Sequence, residues 1–469
     1  AYTVTRYRCD NRSRLVQKAV AAGGYAVSFR EATPEDFTLP FLCGSSAGEV
    51  REFIVSSWPE TVRSNTEDEG ARFGLPYPYT VPSISGAFQE MYYWDTFFTD
   101  EGLILDGFVE QARNNVEDML HIVERFGKML NGSATWFLNR SQPPYLSMMI
   151  RSVYEATGDR DWLARVLPGL EKEYDFWMTS RVSPCGLNRY GNEATDEEKL
   201  EFIGLLKERF GPGFDTGGLS RDELLRIGSH YIAEAESGWD FTPRFDGRCE
   251  DFCPVDLNSN LYLYEMNFSF FASELGDGAS ARRWVKAAAR RNRLMHKLMR
   301  DGKSGLFFDY DHVNDRRSDV LSAAVFSLLF SGAADRRDAA AIAGTLCADN
   351  LPLSPDAPGD PFRLEYPHGI SACAYGDYRR SCQWAYPNGW APLQYLAVNG
   401  LLRYGYDADA RRIAVKYLDT VVSTFAETGN LWEKYNAVEG NINVSNEYEM
   451  PTMLGWTAGT FRVLSELLR

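Results

Sequence analysis

From about residue 101 onward, apolar residues recur at helical spacing in one segment after another. The spacing predicts helices near 102–126, 143–157, 161–180, 195–210, 221–235, 257–275, 279–301, 318–331, 335–348, 390–404, 408–427 and 451–467. Ser220 and Thr195 stand before acidic first turns, and Pro143-Pro144 suits the opening of a helix. Residues 1–80 read as irregular, with short strand-like pieces such as 25–29. The stretch 73–82 is rich in proline and disfavours helix. A dozen helices in series, with the unusual residues gathered between them, fit an all-α toroid of paired inner and outer helices. An elongated helical solenoid is the alternative, but no sequence repeat of fixed period supports it.

Charge and cysteine content narrow the partners. The net charge of −16 disfavours nucleic acid and anionic membrane surfaces, because phosphate binding needs a positive field. No run approaches 18 apolar residues, so no membrane span is expected. The eight cysteines show no paired zinc spacing, and the five histidines are scattered, with none near Cys249 and Cys253 to complete a metal site. The thiols read as mostly reduced, in a cytoplasmic protein, although a cleaved signal peptide fits the absence of Met at Ala1. A monomer is expected.

The polar and aromatic residues concentrate in a few segments. Glu236-Ser237-Gly238-Trp239-Asp240-Phe241 sets a carboxyl group among apolar rings, where desolvation raises its pKa toward that of a general acid. Tyr92-Tyr93-Trp94-Asp95 and the run from Gln383 and Trp384 to Trp390 have the same character. Tryptophan faces stack on sugar rings, and carboxyl groups beside them move protons. Glu433 follows a long helix and has the chemistry of a base that activates water; Lys434 beside it also allows an ordinary surface ion pair. Glu447 is placed to help hold that water. Asp95 is suited to hydrogen-bond adjacent hydroxyls, with Trp94 as a wall. Arg140 is suited to donate to sugar hydroxyls. Together these residues point to a pocket for a small carbohydrate.

In their order along the chain, these motifs resemble the trehalases of glycoside hydrolase family 37. The similarity covers most of residues 82–460. Phe88 to Asp95 resembles the family's first signature, and Gln383 to Pro392 the second. Asn131-Gly132, Arg140 to Pro144, Pro254 to Asn258 and Phe307 to Asp311 resemble further motif blocks, as do Glu433 to Tyr435, Glu447-Tyr448 and Gly455 to Thr457. The resemblance implies an (α/α)6 toroid and inverting hydrolysis of an α-glucoside without metal or cofactor. It implies Asp240 as the acid and Glu433 as the base. It implies a sugar site formed by Phe88, Tyr92, Trp94, Asp95, Asn131, Arg140, Gln142, Gly238, Trp239, Gln383, Trp384, Trp390, Glu447 and Trp456. Residues 81–469 are expected to form the catalytic domain, with 1–80 as an extension packed on it.

This chain departs from the family pattern in three places. The first signature normally reads Gly-Arg-Phe but here is Gly86-Ala87-Phe88. The second normally reads Gln-Trp-Asp but here is Gln383-Trp384-Ala385. A further arginine, from an Arg-Pro-Glu-Ser block after Tyr190, has no clear counterpart in 191–195. Each missing partner costs about 1–3 kcal/mol in a buried site. Trehalose or another small α-glucoside is therefore the expected substrate, with the outer part of the site remodelled. A catalytically silent sugar-binding protein on the same toroid is the alternative. A sugar epimerase is a further one, although none of the histidines falls in a motif segment.

Overall fold

A computed structural model describes residues 2–6, 14–21, 24–31, 44–346, 362–376, 378, 382–444, 449–452 and 455–468. Fourteen α-helices occur among them: α1 (Gly44–Ser57), α2 (Tyr93–Leu105), α3 (Val109–Phe126), α4 (Leu146–Thr157), α5 (Arg160–Ser180), α6 (Asp196–Phe210), α7 (Arg221–Glu236), α8 (Val255–Glu274), α9 (Gly278–Leu298), α10 (Phe326–Ser331), α11 (Arg336–Ala343), α12 (Ala391–Arg403), α13 (Asp407–Thr428) and α14 (Gly455–Glu466). Helices α2, α4, α8, α10, α12 and α14 each pack on the next, and α14 returns to α2. That closed inner ring, with α3, α5, α9 and α13 outside it, is an (α/α)6 toroid and not an open solenoid.

Burial distinguishes the two layers. Inner helix α8 buries residues on every face, from Val255 through Asn260 to Phe271. Outer helix α9 buries only Ala281, Ala288, Arg291 and Met295, a stripe at steps of seven, three and four residues. Glycines close the ring: a Cβ on Gly459 of α14 would lie 1.8 Å from the Phe98 carbonyl oxygen, and one on Gly102 of α2 would lie 2.7 Å from Gly459 Cα. Two bare backbones are what allow these helices to touch.

Helices α6 and α7 form a separate hairpin between α5 and α8 in the chain. Both begin at full capping boxes, Thr195 with Glu198 and Ser220 with Glu223, the signals expected at those starts. Their own apolar cluster comprises Ile203, Leu206, Phe214, Tyr231 and Phe241. Val50, Ile54 and Trp58 of the α1 region belong to the main core, together with Phe73, Leu75 and Tyr79.

Several element expectations need correction. The segment expected as one helix over 102–126 is two, divided around Gly107 at φ +89°. The first of them starts at Tyr93, so Trp94 and Asp95 stand on a helical turn and not on a loop. This inner helix is buried nearly all round, which erases the amphipathic period. The span 318–331 opens as loop, passes through the 3-10 turn Ala323–Val325 and is α-helical only over the short α10. Helix α1 was read as irregular because its opening Gly-Ser-Ser-Ala-Gly gives no apolar stripe. The strand-like piece 25–29 lies inside the strand Gly24–Glu31, the last of a three-stranded antiparallel meander.

Candidate active site

A cavity of about 790 Å³ opens where the loops at one end of the ring converge. Its wall is assembled from distant segments by short hydrogen bonds. The Trp94 amide at the start of α2 donates to Gln142 Oε1 at 3.2 Å, joining the first turn of α2 to the segment ahead of α4. Gln383 Nε2 donates to the Asp240 carbonyl, and the Trp384 amide donates to the Phe241 carbonyl at 3.0 Å. The strand Asn388–Trp390 pairs antiparallel with Lys434–Asn436, Trp390 opposite Lys434, which delivers Glu433 to the same wall. Trp456 of α14 donates its indole N–H to the Glu433 carbonyl at 3.1 Å.

Tryptophans line the floor. Trp384 and Trp390 stack with centroids 3.8 Å apart and planes within 2°. Trp94 stands 5.5 Å from Trp384 and 5.8 Å from Trp456, the latter edge to face. Gly238, at φ +71°, admits this arrangement: a Cβ there would meet Trp94 Cζ2 at 2.9 Å. Phe88, at φ +60°, holds an uncommon backbone conformation on the wall, with Tyr92 edge-on at 5.5 Å.

Asp95, Asp240 and Glu433 line this space together. Burial pushes Asp240 up to about 6; Arg209, its own backbone and Arg140 pull it down, and Glu433 adds to the rise. Burial pushes Asp95 up to about 8, with its own backbone N–H opposing and Glu433 and Asp240 reinforcing. Glu433 Oε2 pairs with Lys434 Nζ at 2.7 Å, both side chains almost fully buried, so the pair is no surface contact. Lys434 also donates to Gln383 Oε1 at 3.3 Å and lies 4.6 Å from the Trp390 ring centroid. Arg140 donates to Asn131 Oδ1 at 3.1 Å and to Asn139 Oδ1 at 2.9 Å.

One buried ion pair fixes the geometry from behind. Glu236, at the end of α7, accepts two bonds from Arg181 at 2.8 and 2.9 Å. It also accepts from the Ser141 amide at 2.8 Å and the Gly191 amide at 2.7 Å. The segment carrying Asp240 is thereby tied to the one carrying Arg140. Arg244 lies behind Trp239, 4.3 Å from its ring, and is held by Asp256 and Asp309.

Phe88, Tyr92, Trp94, Asp95, Asn131, Arg140, Gln142, Gly238, Asp240, Gln383, Trp384, Trp390, Glu433 and Trp456 all line the cavity. Trp239 lies behind the wall, against Trp384 at 5.1 Å. Glu447 lies outside the described residues. Ala87 lines the cavity, whereas Ala385 is buried away from it, its carbonyl accepting from the Asn388 amide at 2.9 Å. Sequence reasoning missed Arg209, Trp432 and Glu449, which also line it. Trp432 and Glu449 adjoin motif residues and were within reach; Arg209 sits at a helix end with no motif around it. Away from the cavity, His296, Asp335 and Asp338 have the proximity of a metal-ligand set. Asp338 is already bonded to His296 at 2.7 Å and Arg300 at 2.8 Å, and Asp335 caps α11, so protein contacts account for the group.

An (α/α)6 ring with carboxyl groups and stacked indoles at one end defines the class: a glycoside hydrolase. Residues 45–468 match the sequence profile described as Trehalase. The chain belongs to the trehalase family. It is 32% identical over 447 residues to a periplasmic trehalase of Xanthomonas campestris pv. campestris (strain B100), covering 89% of this chain and 73% of that one. It is 31% identical over 471 residues to a periplasmic trehalase of Salmonella enteritidis PT4, covering 92% and 76%. Among solved structures it resembles neutral trehalase Nth1 from Saccharomyces cerevisiae, with TM-score 0.69 and 28% identity over 89% of this chain and 80% of that one. A GH63 mannosylglycerate hydrolase from Thermus thermophilus, at 16% identity and TM-score 0.54 over 89% of this chain and all of that one, shares the fold.

The substrate class is a small carbohydrate, as the family implies. Among the described residues no helix is long and apolar enough to cross a membrane. The cytoplasmic expectation is overturned by the periplasmic relatives. It rested on reading the thiols as a compartment marker. Cys249, Cys253 and Cys373 are buried and free, and buried thiols behave as small apolar side chains in any compartment.

Proposed function

We propose that this protein hydrolyses α,α-trehalose with inversion, Asp240 acting as general acid and Glu433 as general base. The observation that carries the reading is that both residues line one tryptophan-walled cavity in a chain of the trehalase family. Asp240, with its carboxyl near 6, holds a proton for the glycosidic oxygen at mildly acidic to neutral pH. Glu433, held at Oε2 by Lys434, takes a proton from a water that attacks the anomeric carbon. The C–O bond breaks as that water adds. Asp240 ends as carboxylate and Glu433 as acid, and solvent restores both. Inversion calls for a carboxyl separation of roughly 6.5–9.5 Å, which leaves room for the water.

The remaining wall residues position the sugar. Trp94 and Trp456, in edge-to-face contact with each other, form one side against the ring, and Asp95, Gln142 and Arg140 hydrogen-bond its hydroxyls. With its carboxyl near 8, Asp95 is mostly protonated at pH 7 and donates as well as accepts. The periplasmic address of the relatives is proposed for this chain as well. Proton NMR of trehalose hydrolysis tests the reading. Inversion releases α- and β-glucose in equal initial amounts, whereas α-glucose alone would mean retention. No turnover of trehalose would favour another α-glucoside or a silent sugar-binding protein.

A further inference from the structure

The α6–α7 hairpin delivers an arginine to the cavity from outside every recognisable motif. Arg209 stands in the last turn of α6 and lines the wall, its guanidinium carbon 5.5 Å from the Phe241 ring centroid. The helix end is anchored on the segment that carries the acid. Phe210 meets Phe241 with centroids 5.2 Å apart, and Ile203 and Leu206 pack in the same cluster. The start of α6 is tied to Arg140's neighbour, Asn139 Nδ2 donating to Glu198 Oε1 at 3.0 Å.

Arg209 belongs to one side of the cavity. The charged groups facing Asp240 are Arg209 from α6, Arg140 from the segment ahead of α4, and Glu433 from beyond α13. Those acting on Asp95, in α2, are Glu433 and Asp240. Phe241, which the Arg209 guanidinium faces at 5.5 Å, is the residue next to Asp240, so Arg209 flanks the acid. An acid that protonates the glycosidic oxygen has the departing group beside it. Ala87 lines the same cavity and offers no side-chain donor where the first signature normally carries arginine.

We propose that Arg209 is the specificity-determining residue for the leaving group, its guanidinium donating to adjacent hydroxyls of the departing sugar in place of the arginine missing at Ala87. This rests on Asp240 being the acid. A guanidinium fork suits two neighbouring oxygens, and a lysine at the same place presents only a point charge.

Wild type, Arg209→Ala and Arg209→Lys are compared on trehalose and on α-glucosyl fluoride, whose leaving group has no hydroxyls. With Arg209→Ala, kcat/KM on trehalose should fall about 10- to 100-fold, mainly through KM, with Arg209→Lys intermediate. On the fluoride both variants should stay within about threefold of wild type. Removing the cation should also move the alkaline limb of the trehalose pH profile upward, because Arg209 lowers the Asp240 pKa. Equal losses on both substrates with a lowered Tm would make Arg209 a structural residue and overturn the proposal. Unchanged trehalose kinetics would overturn it too. A wild type inactive on both substrates would instead remove the proposed hydrolase activity on which it rests.

Discussion

Asp95, Asp240 and Glu433 share one cavity but differ in what surrounds them. Glu433 has a buried lysine at 2.7 Å, Asp240 has two arginines within electrostatic reach, and Asp95 is acted on by the other two carboxyl groups. Pairs of acids in unlike environments are how one site holds an acid and a base at a single pH. If Asp240 and Glu433 have the proposed roles, Asp240→Asn and Glu433→Gln should each lower kcat by several orders of magnitude while Tm and circular dichroism stay near wild type. A loss of less than about tenfold in either would refute that residue's role. The pH dependence of kcat/KM should be bell-shaped. Its alkaline limb should begin near pH 6 and belong to Asp240, so a profile still rising at pH 8 would reassign the acid.

At the scale of elements, the site depends on how closely α2 approaches the end of α7. Gly238 is in the left-handed region, and a methyl group there would also strike Trp94. Gly238→Ala is therefore expected to lower Tm and to raise KM for trehalose. Gly276→Ala is the control, since Gly276 has φ +87° with nothing within 4 Å of a Cβ. It should carry the backbone strain of about 1–2 kcal/mol alone and leave KM unchanged. If both variants changed KM alike, the contact with Trp94 would not matter. Glu236→Ala should be more damaging, by about 3 kcal/mol in a denaturant titration, because it removes the two-point partner of buried Arg181 and leaves it only Glu193 as a carboxylate partner.

Legibility followed the same physics. Thr195 and Ser220 announced their helices through local capping chemistry. The start of α2 at Tyr93 was hidden, because a helix buried all round has no polar face to mark its period. Most of the cavity wall was readable because its residues cluster in short motif segments. Arg209 was not, since a basic residue in the last turn of an acidic-starting helix looks like ordinary dipole pairing. Trp239 showed the opposite error: its motif company suggested sugar contact, but Arg244 and Trp384 enclose it.

At the scale of the whole molecule, ring closure and site chemistry make opposing demands on stability. Closure is tight: a Cβ at Gly459 would overlap the Phe98 carbonyl outright, so Gly459→Ala should fail to yield folded enzyme or should lose several degrees of Tm. Full stability in that variant would mean that α14 and α2 can part without loss. The site works against the fold in a pH-dependent way. Asp95 is raised from 3.8 to about 8 by burial first, then by Glu433 and Asp240. Between those two values the folded chain holds a proton that the unfolded chain has released. Its contribution is fully present below about pH 4 and is lost as pH rises through 8. Each unit of such a shift corresponds to about 1.4 kcal/mol, an upper bound once the site relaxes. Asp95→Asn removes the ionisation and keeps the shape. It should therefore unfold at higher urea than wild type at pH 8.5, match it near pH 4, and bind trehalose less well at both. A variant less stable than wild type at pH 8.5 would mean that Asp95 is held ionised by the fold. The carboxyl group would then be a structural partner and not a strained member of the sugar site.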